Sequence, residues 1–541
     1  MERAVTTEPL GFSRRTMLRT VVGAATVTAT RTASGLGASP AAGAAASRRA
    51  LLHLTPITGW ACDPQRPYYL GGRLQLPHLQ AAQTTGPGGW RLATSTDEVS
   101  FSDVGDTIPL VGDTPAWSGS AVVDTDNTAG LGGGAVIALV THVPHGDLTR
   151  QAQYFHWSTD GGRSFSMLSE PVIPNPNADS ASTDEEIDNA RWFRDPKVVR
   201  DEERSQWVCV IGQRKYLSLF VFTDLHRWRW TSNFDYLAPG ATDLGGMECP
   251  DLFRIIADDG TSHWALAASM GGWGAGSLGT YAYWIGSWDG TRFMTDNLRP
   301  QWLDHGYDWC AAVTWPSATS PHNVRHAVAW MNNWKYAARH VPTLDTDGYN
   351  GQCSVVREIR LSRQPGGWYS LLSTPKPALA ASLLSQKSLG DVTVDGRRVL
   401  DVKTEAYVLT TDIAWTNATN VGIEVLRSPD GTRHTNVGIF NGRVYVDRGP
   451  SETVSAPFAP YTQSEASIDP AARHVHLAVV VDRNSVEVFV NAGHTVLSNQ
   501  VYPTAGDHGL ALYSDKRERG LLRALHPNPL TPRRPITWHS N

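Results

Sequence analysis

The stretch that decides the fold is STDGGRSF, Ser158 to Phe165. Asp160 and the two glycines supply turn geometry, Phe165 closes the turn with a ring, and β-rich runs such as AVIALVTH and YFHWS lead into it. A turn of this kind suits a hairpin whose ring packs on the sheet beneath. The pattern recurs as STDEVSF at Asp97, TDLHRW at Asp224 and SWDGTRF at Asp289, and in degenerate form as RQPGGW at Pro365. Successive Asp residues are 63, 64 and 65 positions apart, with 76 to Pro365, and regular self-similarity marks a repeat architecture. Five hairpins predict five blades of a β-propeller, and the long period predicts long loops on which a site can be built.

The propeller is expected over residues 50–371. STPKPALAASLLSQKSLG then reads as a Pro-containing connector with a short helical stretch, taken as 372–391. Over 392–514 the chain shows short alternating strands such as VGIEVLRSPDG and VHLAVVVDRNSVEVFVN, which predict a sandwich. The fold class is therefore all-β, a five-bladed β-propeller followed by a C-terminal β-sandwich. Residues 515–541 are basic, rich in proline and without alternation, and are expected to form an irregular tail.

The 541 residues carry a formal charge of −5, but residues 1–49 hold seven Arg against Glu2 and Glu8. That segment counts +5, so the remainder counts −10, an acidic balance that argues against a nucleic-acid partner and fits a neutral substrate. Arg14 and Arg15 in FSRRTMLRT precede a weakly apolar run and an Ala-rich end, the order of a twin-arginine signal over 1–49, which predicts a secreted protein. No apolar run reaches the roughly 18 residues of a membrane span. Cys62, Cys209, Cys249, Cys310 and Cys353 form no spacing framework, so neither an essential disulfide nor a zinc site is expected. His474 and His476 alternate on a strand without further ligands nearby and read as surface or packing residues.

Three carboxylates stand in unusual contexts: Asp63 in GWACDPQRP, Asp195 in RWFRDPKVV and Glu248 in GGMECPDLF. Each is followed directly or one residue later by Pro, which stiffens the backbone, and is flanked by apolar or sulfur side chains that limit hydration. Fixed, poorly hydrated acids are candidates for acid/base or nucleophilic work, and glycoside hydrolysis needs such a set. Taken singly, each could equally be a structural acid.

Together, WACDPQRP, WSGSA at Trp117 to Ala121, FRDPK at Phe193 to Lys197 and MECPD at Met247 to Asp251 resemble the ordered motifs of glycoside hydrolase family 32, the invertase, levanase and inulinase family. VREIRL at Val356 to Leu361 and VDRNSVEVFVN at Val481 to Asn491 extend the resemblance to nearly the whole chain after the signal. The resemblance implies a propeller with its active site at the centre, followed by a sandwich. It implies Asp63 as the nucleophile of a covalent fructosyl intermediate, Glu248 as acid/base and Asp195 as the transition-state stabiliser. Trp60, Gln83, Trp117, Ser118 and Arg194 are the substrate-binding residues it implies, Arg194 also being a charge partner for Asp195. No cofactor or metal is implied.

The chain departs from the family's WMNDPNG pattern: Cys62 stands before the nucleophile, and Gln65 and Arg66 follow Pro64. With GPGGW at Gly86, WMNNWKYAARHVPT at Trp330 and DGYNGQ at Asp347, the pattern is most similar to levan fructotransferases of soil actinobacteria. That implies a β-2,6-fructan, levan, attacked from its chain end, with difructose dianhydride IV released by intramolecular transfer. An exo-levanase releasing levanbiose or fructose is the alternative, and an invertase or inulinase the next. Pro77 and His78 are expected to interrupt a strand at the pocket edge.

Overall fold

The computed structural model describes residues 46–540 apart from 83–87, 111–113, 273–278, 384, 391, 452–456 and 516–535. The Arg14–Arg15 pair and Gln83 lie outside the described residues. Five antiparallel sheets succeed one another along the chain, and their first strands are Gly59–Pro64, Ala116–Asp124, Arg194–Asp201, Met247–Ile256 and Cys310–Pro316. These are the innermost strands of blades I to V of the expected propeller. Neighbouring blades pack face to face, so a second strand such as Ala135–His142 is buried on both sides, which is why AVIALVTH reads as a continuous apolar run.

The repeated turns occupy the same place in every blade, between the third and fourth strands. Asp160 lies between Ala152–Ser158 and Ser166–Met167, and Asp289 between Thr280–Trp288 and Phe293–Met294. Their carboxylates accept backbone N–H groups a few residues on: Asp97 from Val99 and Ser100, Asp160 from Arg163 and Ser164, Asp224 from His226 and Arg227, Asp289 from Thr291 and Arg292. Local side-chain capping of this sort forms the turn from its own sequence. The ring is closed by Tyr349–Asn350, which leaves blade V and pairs in parallel with the first strand of blade I, Tyr349 opposite Gly59 and Asn350 opposite Trp60.

The connector is shorter than 372–391. The last strand of blade V, Tyr369–Pro375, runs into it, the helix Pro377–Ser382 follows, and Ser385–Gly390 already belongs to the sandwich. The sandwich consists of two six-stranded sheets. One of them receives Ile536–Ser540 between Ser385–Gly390 and Tyr407–Ala414, so the end of the basic tail is a strand and not irregular. In His474–Asp482, Val475, Leu477, Val479 and Val481 fill the core between the sheets, while Val480 on the opposite face packs with Leu52, Val355 and Phe489 against the propeller. Both faces of that sheet are covered. His474 and His476 both contact Asp412 Oδ1 at 3.1 Å. No helix among the described residues is long and apolar enough to cross a membrane.

Candidate active site

All five innermost strands are bulged near their starts. Register shifts fall between Ala61 and Pro64, Ala116 and Gly119, Arg194 and Lys197, Glu248 and Asp251, and Cys310 and Val313. A bulge leaves residues out of the ladder and re-aims their side chains, and it tolerates proline because no ladder N–H is required there. Hence Pro196 and Pro250 sit inside the bulges of blades III and IV. Asp195, Cys249 and Ala311 take left-handed backbone, at φ of 62°, 44° and 52°, a conformation that Cys and Ala rarely adopt.

The bulges bring Asp63, Asp195 and Glu248 together. Asp63 Oδ2 accepts the Ser118 hydroxyl at 2.6 Å and its Oδ1 the Cys62 thiol at 3.0 Å. The Cys249 sulfur lies 3.8 Å from Asp63 Oδ2 and 3.6 Å from Asp195 Oδ2, bridging blades I and III. Asp195 Oδ2 also accepts the Cys249 N–H at 3.1 Å, and its own N–H donates to Thr141 Oγ1 at 2.9 Å. Burial and the surrounding carboxylates push the Cys249 thiol far up, and burial first of all pushes Cys310 to about 12. At neutral pH both thiols are therefore protonated and act as weak dipoles beside the carboxylates, not as charges.

Arg194 serves Glu248 more than Asp195. Its Nε and Nη2 donate to Glu248 Oε1 at 3.1 and 2.6 Å, whereas Asp195 Oδ2 is 3.7 Å away. Arg191 O anchors Nη1 at 2.7 Å, and the guanidinium lies 4.1 Å over the Trp192 ring. Asp63 and Asp195 are buried, while the Glu248 side chain keeps 13% exposure, the access that exchange of a proton with a departing group requires. Trp60 stacks on Trp334, ring centroids 6.2 Å apart, in a cluster with Trp330, Cys62 and Cys310. Trp117 is half-buried, and its carbonyl accepts Trp90 Nε1 at 2.8 Å.

Several participants escaped the sequence reading. Gln65, noted only as a departure from a motif, is wholly buried. Its Nε2 donates to Asp63 O at 2.8 Å and its Oε1 accepts Gly119 N–H at 2.6 Å, tying blade I to blade II behind the carboxylate. Thr141, Trp192 and Trp334 lie within the stretches AVIALVTH, RWFRDPKVV and WMNNWKYAARHVPT, but nothing in their spacing marks them individually. Pro77 and His78 do not interrupt a strand: Arg73–Ala81 is continuous. Pro77 O accepts Gln65 N–H, so the position of its missing N–H faces the bulged stretch of blade I, where the ladder needs no donor. Among the described residues no group of three or more His, Cys, Asp or Glu is arranged to hold a metal ion.

Comparison with known proteins shows the family to which the chain belongs. The glycosyl hydrolases family 32 N-terminal domain matches residues 53–375, and that family's C-terminal domain matches 378–525. A levanbiose-producing levanase of Bacillus subtilis is 40% identical over 476 residues, 86% of this chain and 88% of its own. A levanbiose-producing levanase of Geobacillus stearothermophilus is 40% identical over 416 residues, 75% of this chain and 100% of its own. In structure, exo-inulinase from Aspergillus awamori superposes with a TM-score of 0.77 at 23% identity, covering 92% of this chain and 99% of that one, a likeness of fold.

Proposed function

The chain belongs to glycoside hydrolase family 32, and from that premise we propose that it cleaves levan from the chain end and releases levanbiose. The observation that carries the reading is the convergence of Asp63, Asp195 and Glu248 from the bulges of blades I, III and IV, in a chain 40% identical to two levanbiose-producing levanases. Asp63 attacks the anomeric carbon of the penultimate fructosyl unit, so that the covalent intermediate carries two fructose units, and Ser118 and Cys62 hold its carboxylate in line. Glu248 protonates the departing glycosidic oxygen. The Arg194 fork engages Oε1, so Oε2 is the oxygen assigned to the proton. Asp195, fixed by Cys249 N–H and Thr141, hydrogen-bonds the sugar hydroxyls as positive charge develops at the anomeric carbon. Water activated by Glu248 then opens the levanbiosyl–Asp63 ester and releases levanbiose, with net retention.

The fructotransferase outcome uses the same three carboxylates and differs only in what opens the ester. There the 6-hydroxyl of the terminal fructose attacks in place of water, and difructose dianhydride IV results. The names of the two 40% relatives favour water. Export through the Arg14–Arg15 signal belongs to the same reading, since a polymeric substrate must be met outside the cell; extracellular exo-inulinases among the relatives support it.

Product analysis of the purified protein on levan, with inulin and sucrose alongside, tests the proposal. A reducing disaccharide with the mass of levanbiose supports it. A non-reducing product lighter by one water moves the enzyme to intramolecular transfer, and inertness towards levan overturns the substrate.

A further inference from the structure

In blades I to IV the aromatic residue that closes the outer turn packs inward: Phe101, Phe165, Trp228 and Phe293 each join a hydrophobic cluster. The fifth, Trp368, turns out to solvent and is 55% exposed. Its turn, RQPGGW, has Pro365 where the others have Asp, and Gly366 lets the indole lie over its own turn, since a Cβ there would sit 3.1 Å from the ring.

Beside Trp368 the fourth strand of blade IV is broken. Phe293–Met294 pairs with Ser287 and Trp288, and Gln301–Trp302 pairs with Ala282 and Tyr283. Residues 295–300 swing away between the two pieces and open a groove of about 940 Å³ between blades IV and V. Its lining includes Trp368, Met294, Asp296, Asn297, Arg299 and Gln301. The carboxylate of Asp296 and the guanidinium of Arg299 balance, and the Asn297 amide, the Ser287 and Thr295 hydroxyls and the indole face stand beside them, with His263 and Tyr369 at the wall. Such a lining is matched to a neutral, polyhydroxylated chain: sugar C–H faces stack on an aromatic ring, and amides bond hydroxyls. It offers no excess of cations for nucleic acid and no charge pattern for an ionic peptide.

We propose that this groove is a second, non-catalytic binding site for the fructan polymer, with Trp368 as its stacking platform. The inference rests on the fructan reading of the active site. The groove lies on the outer strands, three strand spacings from the bulge of blade IV, and Trp284 to Ser287 stand three to six residues along the strand from Tyr281, which is level with Glu248, so the separation is about 20 Å. A polymer held there stays near the active site after each product leaves, which raises the local concentration of chain ends.

Trp368→Ala, with Trp368→Phe as the conservative control, is compared with the wild type in two ways. Migration through gels containing levan reads binding to the polymer. Steady-state kinetics on levan and on a short β-2,6 fructo-oligosaccharide reads catalysis. The expected result for Trp368→Ala is a threefold to tenfold weaker retardation, roughly the contribution of one stacked ring, and a similar rise in KM for levan. Catalysis of the short oligomer stays within about twofold, which also reports an intact fold, and Trp368→Phe is retarded nearly as the wild type. Equal retardation of wild type and Trp368→Ala overturns the groove while leaving levan cleavage intact. A wild type that does not act on levan removes the substrate reading instead, and retardation lost with Trp368 would then still support the groove as a site for the polymer.

Discussion

Arg357 Nη2 lies 2.6 Å from Glu487 Oε2, an ion pair that water does not reach, and it joins blade V to the sandwich. Arg357 Nη1 also meets Asp304 Oδ2 at 2.8 Å, so one guanidinium neutralises a carboxylate from each domain. Arg357→Met leaves both carboxylates buried without their cation. The expected loss is about 3–5 kcal/mol in denaturant unfolding, with both domains still losing structure in one transition because other buried pairs, Arg448 with Asp308 among them, continue to join them.

His53 sits between Asp482 Oδ2 at 2.7 Å and Glu487 Oε1 at 3.0 Å. Burial opposes its charge, but the bonds and charges of the two carboxylates prevail and raise it from 6.5 to about 9. The folded state holds this proton more tightly than the unfolded chain does. Its contribution is therefore complete below about pH 6.5 and is lost as pH rises through about 9, in total roughly 3 kcal/mol. Unfolding of wild type and His53→Gln at pH 6 and pH 10 checks this: the gap between them should be wide at the lower pH and small at the higher.

Asp63→Asn removes the attacking carboxylate while keeping its shape. Activity on levan should fall on the order of 10⁴-fold with unfolding unchanged within about 1 kcal/mol. Glu248→Gln should lose roughly 10²- to 10⁴-fold on levan and far less on an activated fructoside whose leaving group needs no proton. Equal losses on both substrates would take the acid role away from Glu248.

Ser118→Ala deletes a 2.6 Å hydrogen bond to Asp63, and Gln65→Leu deletes the two bonds that tie the same strand to blade II. A bond to a charged group is worth about 1.5–3 kcal/mol, so Ser118→Ala should lose roughly tenfold to hundredfold in kcat, with a smaller change in KM. The Gln65 bonds go to neutral backbone groups and are worth about 0.5–1.5 kcal/mol each, so Gln65→Leu should lose roughly threefold to tenfold. Cys62→Ser retains a donor at that position and should stay within about threefold of wild type. Burst kinetics with an activated fructoside would place the Ser118→Ala loss in formation of the ester.

The elements legible in the sequence were those formed by chemistry within a few residues. Asp97, Asp160, Asp224 and Asp289 cap turns made by their own neighbours, so their repetition disclosed the blades before any contact between blades was known. The three carboxylates were legible because each lies beside a proline that only a bulge would accommodate. Relations between distant segments left no such trace. The two-residue closure by Tyr349–Asn350 is too short to show a period. Adjacency pairs Arg194 with Asp195, whereas Glu248, 54 positions on, takes two of its three hydrogen bonds. Pro77 was read as a strand breaker because the bulge opposite it lies on another strand.

The five bulges also bear on how such a protein changes over evolutionary time. Each innermost strand widens at its bulge, so the axis is ringed by five sockets, and Asp63, Asp195 and Glu248 occupy those of blades I, III and IV. The sockets of blades II and V hold Trp117 with Ser118 and Ala311 with Ala312. Trp117 and Ala312 lie outside the ladders, so selection can exchange them without renegotiating strand register. Ser118 is held more closely, since its hydroxyl is bonded to Asp63, and drift in these sockets is free where it leaves that bond standing.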